Sequence, residues 1–589
     1  MNGNRVDGAL TPNLFHRPGI MEVVACGVTA LVYLGTLAFG FVYDDVLLIL
    51  NNSTIRSWRS VPQYFTSHMW AAAFPGSTAQ YYRPLFLLWL RLNYALFGAK
   101  PEGWHATNVL CHMAATYLVF GLARHLTHDR TIAFTAALIF GLHPAHIENV
   151  AWIAGVTDPL MACFVLGSCL AFLSFRESGK VSQLIWSLGW FALALLSKET
   201  AIVLPLLIAA LALVPPSSGT AANDGPPRTT IAMRNAAPYV LLALIYLGVR
   251  YRVLKGFAHP AVSISWIEVV LTWPSILWFY AKHLLLPVGL SEFYPLDYVR
   301  HPTAGLLLWP LLLLLALGLA TGYWIRALPQ KQVAFFALAL TVLPLLPVLN
   351  LRSITIGDIV HDRYLYLSTA GFTLLAALSI REIARRMSSL RAASLALAGT
   401  ILIALVFAPL TVIQQTQWAS DILLYTRGVE SAPDNLAVRE NLANALLGAG
   451  HPERAIPLYL DNLKRNPNFW RSNYDLGFAY YKTGNPAAAE APLQRAIGID
   501  GSDSRAYIYL ALTELQLKKF PEAADSARRA IAKSPQAREY HFILGLIGEN
   551  QGDRSGAIAA FKAELAQHPD DESATAELEK IEGRVATRP

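Results

Sequence analysis

Two aspartates stand side by side in FVYDDVLLILNN, Asp44 and Asp45, directly after the apolar run 21–41. A carboxylate at the edge of hydrocarbon is costly, by about 2.5 to 3.5 kcal/mol at a bilayer centre and less toward the interface, so its presence points to a role. Adjacent acids also repel, which lifts one of them toward the range where a carboxylate takes a proton from a hydroxyl. The same pair suits a helix end solvated by headgroup water, and from the pair alone both readings stand.

Cations and imidazoles occupy comparable places. They are Arg83 in YYRPL; His105 and His112 early in the second apolar run; His143, His146, Glu148 and Asp158 in HPAHIENVAWIAGVTD; Lys198 and Glu199 at a break between two apolar runs; and His361, Asp362, Arg363 and Tyr364 in HDRYLYL. Arginine grips phosphate through a bidentate fork and lysine as a point charge. Singly, each reads as well as a structural pair, such as Lys198 with Glu199, or as a snorkelling anchor. Gathered on one side with an acid pair, they read as a phosphate-handling site. His143, His146 and Glu148 imitate a metal motif, but Pro144 breaks the helix that would present both rings, and no third ligand has suitable spacing. A Mg²⁺ or Mn²⁺ ion held by Asp44 or Asp45 stays open, since hard cations need few carboxylates. No Gly-rich phosphate loop, nucleophile elbow or dinucleotide fingerprint occurs.

Apolar helices must position these groups. The chain has 589 residues, 54% hydrophobic and only 15% charged, which excludes a single soluble globule. Its net +7 belongs to the apolar part, where basic residues mark cytoplasmic span ends, so nucleic acid is excluded as a partner. The four cysteines lie in apolar runs without ligand-like spacing. No small-residue cleavage pattern follows the first run, which reads as a retained span.

Twelve stretches are long enough, or nearly so, to cross a bilayer: 21–41, 104–126, 131–143, 158–175, 183–197, 199–214, 236–252, 266–286, 303–325, 332–349, 364–381 and 392–413. The basic connections Arg5/Arg17, Arg124/Arg130, Arg176/Lys180, Arg228/Arg234, Arg326/Lys331 and Arg381/Arg385/Arg386/Arg391 are predicted cytoplasmic. Parity then fails only between Arg234 and Arg326. The Trp-rich stretch 266–286 is predicted to lie in the interface or re-enter, which leaves eleven crossings. This topology puts 42–103, 143–158, 350–363, the Lys198-Glu199 break and the C-terminal part outside the cytoplasm.

From 433 onward, Pro433, Pro467, Gly501, Pro535 and Pro569 recur every 34 residues. Between them Leu442/Ala443, Leu476/Gly477, Leu510/Ala511 and Leu544/Gly545 align, as do Ala455, Ala489, Ala523 and Ala557. The pattern is that of four tetratricopeptide repeats, whose stacked helix pairs form a superhelix suited to an extended peptide or another protein. The predicted fold is all-α: a polytopic membrane domain over 1–413, a connecting segment 414–432, and an extracytoplasmic repeat solenoid over 433–589.

In this order, FVYDDVLLILNN, YYRPL, Trp104-His105 with Asn108, HPAHIENVAWIAGVTD, Ser197-Lys198-Glu199, HDRYLYLSTAGF and the repeats resemble the transmembrane and tetratricopeptide repeat containing O-mannosyltransferases, within the GT-C class of membrane glycosyltransferases. Two departures stand out. Gly155-Val156-Thr157-Asp158 replaces the family's usual Gly-Arg-Ala-Asp, and Asp362 replaces a usual Glu. The resemblance implies a polyprenyl phosphate sugar donor and a Ser or Thr hydroxyl acceptor on a protein or peptide carried by the repeats. It implies an inverting displacement with Asp44, or less readily Asp45, as base. Arg83, Lys198 and Arg363 would hold the leaving phosphate, with His361 and Tyr364 adding hydrogen bonds, and His105, His143, His146, Glu148, Asp158, Glu199 and Asp362 would support them. The lipid tail would lie between spans. Two other functions compete: transfer to a lipid-linked or envelope glycan, and a non-catalytic membrane scaffold. Cysteine-free repeats in an oxidising exterior favour a bacterial inner membrane.

Overall fold

The computed structural model describes residues 19–74, 81–215, 227–256, 264–354 and 358–583. Arg5 and Arg17, read above as cytoplasmic, lie outside the described residues. Among the described residues every regular element is helical. The chain divides into two compact units, Met1–Arg427 and Gly428–Pro589, with the junction inside the predicted connecting segment.

Among the described residues of the first unit, eight helices are long and apolar enough to cross a membrane, by length and composition. Three further predicted stretches are shorter apolar helices, Arg130–Leu142, Val181–Ser197 and Glu199–Ala212, and another, Pro84–Phe97, falls within the 42–103 cluster. The stretch 266–286 forms one continuous helix, Trp266–Leu285, opened by a Ser265/Glu268 capping box and containing Pro274. It is not among the eight.

The centre of this unit is Arg130–Leu142, in which every residue from Ile132 to Leu142 is buried. Ile20–Tyr33, Pro101–Thr127, Tyr366–Met387 and Ala392–Gln414 pack around it. Small residues set how closely they approach. A Cβ on Gly371 would fall 2.4 Å from the Ala337 carbonyl oxygen, so only glycine lets Tyr366–Met387 lie against Lys331–Val342 at this spacing. Hydroxyls stitch the interior, as in Thr135 with Thr400 at 2.7 Å. At one end of the bundle Arg130 pairs with Glu22 and Arg381 with Asp129, each at 3.0 Å. The other ends of these helices carry the candidate site.

The second unit contains the predicted helix pairs: Leu436–Gly448 with Pro452–Arg465, Trp470–Lys482 with Pro486–Ile499, Ser504–Gln516 with Phe520–Lys533, and Tyr540–Gln551 with Arg554–Gln567. Ala455, Ala489, Ala523 and Ala557 are all fully buried. A Cβ on Gly477 would meet Leu493 at 2.5 Å, and one on Gly545 would meet Phe561 at 2.5 Å, which is why small residues recur at this repeat position. Between the first two pairs lies a buried polar node. Glu440 accepts from the Ser472 hydroxyl and from Asn462 Nδ2, the latter at 3.2 Å. Burial, with Asp475 adding to it, pushes the Glu440 carboxyl up to about 9.

Candidate functional site

Asp44 enters the site through an unfavourable turn. After the 3-10 turn Leu34–Ala38, Tyr43 takes φ 57, in the left-handed region, which costs an L-residue about 1–2 kcal/mol. The Tyr43 amide donates to Asp421 Oδ1 at 2.9 Å. The two aspartates then face different surroundings. Asp45 is fully buried and accepts from the amides of Val42 at 3.1 Å and Ala154 at 3.0 Å, tying the turn to the 152–156 segment. Asp44 is half-buried and lines a cavity of about 110 Å³ together with Tyr81, Arg83, Trp152, Lys198, Arg363 and Tyr364. Each Asp45 oxygen thus accepts one backbone amide.

Three cations reach this cavity, and each is held by an acid from another segment. Arg83 forks onto Glu199, Nε to Oε2 at 2.9 Å and Nη2 to Oε1 at 2.5 Å. Lys198 Nζ donates to Asp158 Oδ2 at 2.6 Å. The expected pairing of Lys198 with Glu199 is thereby corrected. Lys198 is extended, φ −156 and ψ 136, and successive side chains of extended backbone point opposite ways. Arg363 Nη1 donates to Glu148 and, at 2.9 Å, to Glu292 Oε1, while its amide donates to Glu148 Oε2 at 2.9 Å. The guanidinium lies 5.6 Å from the Trp152 ring centre. These acids orient the cations without exhausting them, since a guanidinium has five N–H donors and an ammonium three.

Glu292 was not anticipated. It comes from SEFYPLDY, after Trp266–Leu285, and is fully buried apart from 1% of its surface. Glu148, Glu292 and His361 bring ligand-type atoms within 4.8 Å of one another, a grouping that a divalent ion could use, but Arg363 bonds both acids and supplies the positive charge there. His361 lies 3.3 Å from Glu292 and 3.4 Å from Asp358.

The remaining predicted residues do not line the cavity. Asp362 accepts from the Tyr294 hydroxyl and bonds His283 Nδ1 at 3.0 Å. His143 Nε2 bonds the Leu284 carbonyl at 3.1 Å, His146 Nε2 bonds Thr369 Oγ1 at 2.7 Å, and His105 packs edge-on against Phe39. These groups join the segments that carry the lining residues.

Burial pushes the Asp44 carboxyl up to about 7; Arg363 opposes the shift, and Glu292 and Asp358 reinforce it. Burial and Arg363 both act to lower His361, yet Asp358 and Glu292 outweigh them and raise it to about 10. Against burial, Arg363 and His361 hold Glu292 below the usual carboxylate range. The site thus pairs a carboxyl poised near neutrality with fixed cations. A second groove of about 290 Å³, lined by Ile202, Tyr246, Leu247, Arg250 and Val348 among others, shares Tyr81, Glu199 and Tyr364 with the cavity.

Two family descriptions match the chain: dolichyl-phosphate-mannose-protein mannosyltransferase over residues 82–233, and tetratricopeptide repeat over 440–504 and 510–572. The first span includes Arg83, Asp158, Lys198 and Glu199. Similar curated proteins include protein O-mannosyl-transferase F38B6.6 of Caenorhabditis elegans, 25% identical over 463 residues, covering 76% of this chain and 63% of that protein. Protein O-mannosyl-transferase TMTC1 of Homo sapiens is 27% identical over 507 residues, covering 78% of this chain and 57% of its own length. TMTC3 of Mus musculus is 25% identical over 573 residues, covering 88% and 60%. The chain therefore spans about three-fifths of the length of these relatives. Among solved structures, the crystal structure of MamA is 25% identical with a TM-score of 0.24, covering 24% of this chain and 84% of that one. That of YrrB, a TPR protein, is 17% identical with a TM-score of 0.26, covering 28% and 86%. The mannosyltransferase match precedes the repeats, as in the motif order read from the sequence, and over most of its length the chain is similar to these protein O-mannosyl-transferases.

Proposed function

We propose that this protein transfers a sugar, mannose by analogy with its named relatives, from a polyprenyl phosphate to Ser or Thr hydroxyls of proteins. The observation that carries the reading is Asp44, a carboxyl poised near neutrality, facing a cavity that also presents Arg83, Lys198 and Arg363. The acceptor oxygen attacks the anomeric carbon as Asp44 takes the hydroxyl proton. The bond from that carbon to the phosphate oxygen breaks with inversion, and polyprenyl phosphate departs with the electron pair. Negative charge grows on the phosphate in that step, and the spare N–H donors of the three cations are preorganised for it. Removing one such stabiliser typically costs about 3 to 4 kcal/mol.

The adjoining groove, apolar on Ile202, Leu247 and Val348, suits the first isoprene units, with the phosphate at the shared edge of Tyr81, Glu199 and Tyr364. The setting we propose is a bacterial inner membrane, with site and repeats on the extracytoplasmic side and the acceptor chain held by the repeats. A metal is not required for the proton transfer assigned to Asp44.

The test is in vitro transfer from a panel of polyprenyl phosphate sugars, read by mass spectrometry of the product. Asp44→Asn should abolish transfer while expression and membrane insertion stay normal. Retained transfer would remove Asp44 from the mechanism.

A further inference from the structure

The segment that leads out of the membrane unit is woven into the site. Its contacts fall on several residues. Gln414 accepts from the Leu290 amide at 3.1 Å and donates to the Pro287 carbonyl at 3.2 Å, clamping the loop that carries Glu292. Gln415 donates to the Val32 carbonyl at 3.0 Å, at the end of the first helix. Trp418, fully buried apart from 1% of its surface, stacks on Trp152 with ring centres 5.7 Å apart and planes 14° from parallel. Asp421 accepts from the Tyr43 amide. Tyr425 packs against Phe293 at 6.0 Å, Phe293 meets Tyr43 at 6.2 Å, and Tyr43 meets Trp152 at 5.6 Å. The aromatic chain Tyr425, Phe293, Tyr43, Trp152, Trp418 therefore starts and ends on this one segment and encloses the turn that presents Asp44.

The hydrogen bond from Tyr43 matters most. A left-handed, non-glycine residue persists only where its surroundings over-determine it. Here a carboxylate-assisted bond to the amide and ring contacts on two sides do so. Asp44 follows Tyr43 directly, so releasing this turn redirects its carboxyl.

We infer that residues 414–427 are a brace for the catalytic turn and that Asp421 is a positioning residue for Asp44. The inference rests on the proposed role of Asp44, and it adds that the base is set by the chain leading toward the repeats.

Two readouts on the full chain test it: hydrogen exchange of peptides covering 40–50, and steady-state transfer from the polyprenyl phosphate sugar that the wild-type chain uses. Asp421→Ala should speed exchange in 43–48 and lower kcat by about 10- to 100-fold with the KM for donor unchanged, as a misplaced catalytic group does. Asp421→Asn keeps an acceptor oxygen and should restore both readouts. Trp418→Leu leaves the hydrogen bond and removes the stack, and it carries the same expectation as Asp421→Ala if that variant does not fold. Unchanged exchange at 40–50 in the folded variant, or equal losses in Asp421→Ala and Asp421→Asn, would overturn the brace. If the wild-type chain transfers no sugar, the functional reading falls while the exchange comparison still decides the brace.

Discussion

A carboxyl that ionises near neutrality accepts a proton only in its unprotonated form, so Asp44, as the proposed base, would tie transfer to pH. With its carboxyl raised to about 7 in the free protein, kcat/KM for transfer should rise through pH 7 with the slope of one proton and level off above it. Glu292 is one of the acids that raise Asp44. Glu292→Gln removes that charge while keeping an oxygen for Arg363, so the acidic limb should move to lower pH. A pH–rate profile of both proteins checks the position and the direction. Asp44, Arg83, Lys198 and Arg363 stand out in the sequence because charge at the edge of lipid is conspicuous, and all four line one cavity. The acids Glu148, Asp158 and Glu199 were named too, but which cation each one holds was not, because pairing follows backbone angles at single residues such as Lys198. Glu292 was within reach. If Trp266–Leu285 does not cross, 287–302 lies on the same side as the other clusters, and Glu292 is one of its two acids.

Helix pairs in the repeats were legible down to their small residues, because a 34-residue period repeats the same close approach four times. Polar nodes buried between pairs break that period and stay invisible to it. Glu440 is such a node: burial and Asp475 raise its carboxyl to about 9 in the folded repeats, against about 4.3 in an unfolded chain. Between those values the folded state holds a proton that the unfolded state has released, so stability falls as pH rises, by up to about 1.4 kcal/mol per pH unit. Glu440→Gln keeps an oxygen for Ser472 and Asn462 and cannot ionise. Its repeat unit should be at least as stable as wild type near pH 8 and should lose less stability on going from pH 6 to 8, as read by denaturant titration at both pH values.

The division into two compact units makes the competing acceptors separable at the scale of the whole chain. Deleting 433–589 removes the repeats and leaves the cavity residues in place. If the repeats hold the protein acceptor, the shortened chain should lose transfer to full-length protein yet keep hydrolysis of the donor or transfer to a short free peptide. An envelope glycan acceptor would still be modified in full, which a side-by-side transfer assay with both acceptors resolves.

Where such a cut falls is not a free choice. The helix Asp421–Ser431 begins with the residue that holds Tyr43 and runs past the junction at Arg427/Gly428. A cut at the junction would strip its last turn and loosen its first. For the same reason, repeat arrays are exchangeable between relatives only downstream of residue 431. A graft joined upstream would import a foreign brace, and the new array would arrive together with a retuned catalytic turn.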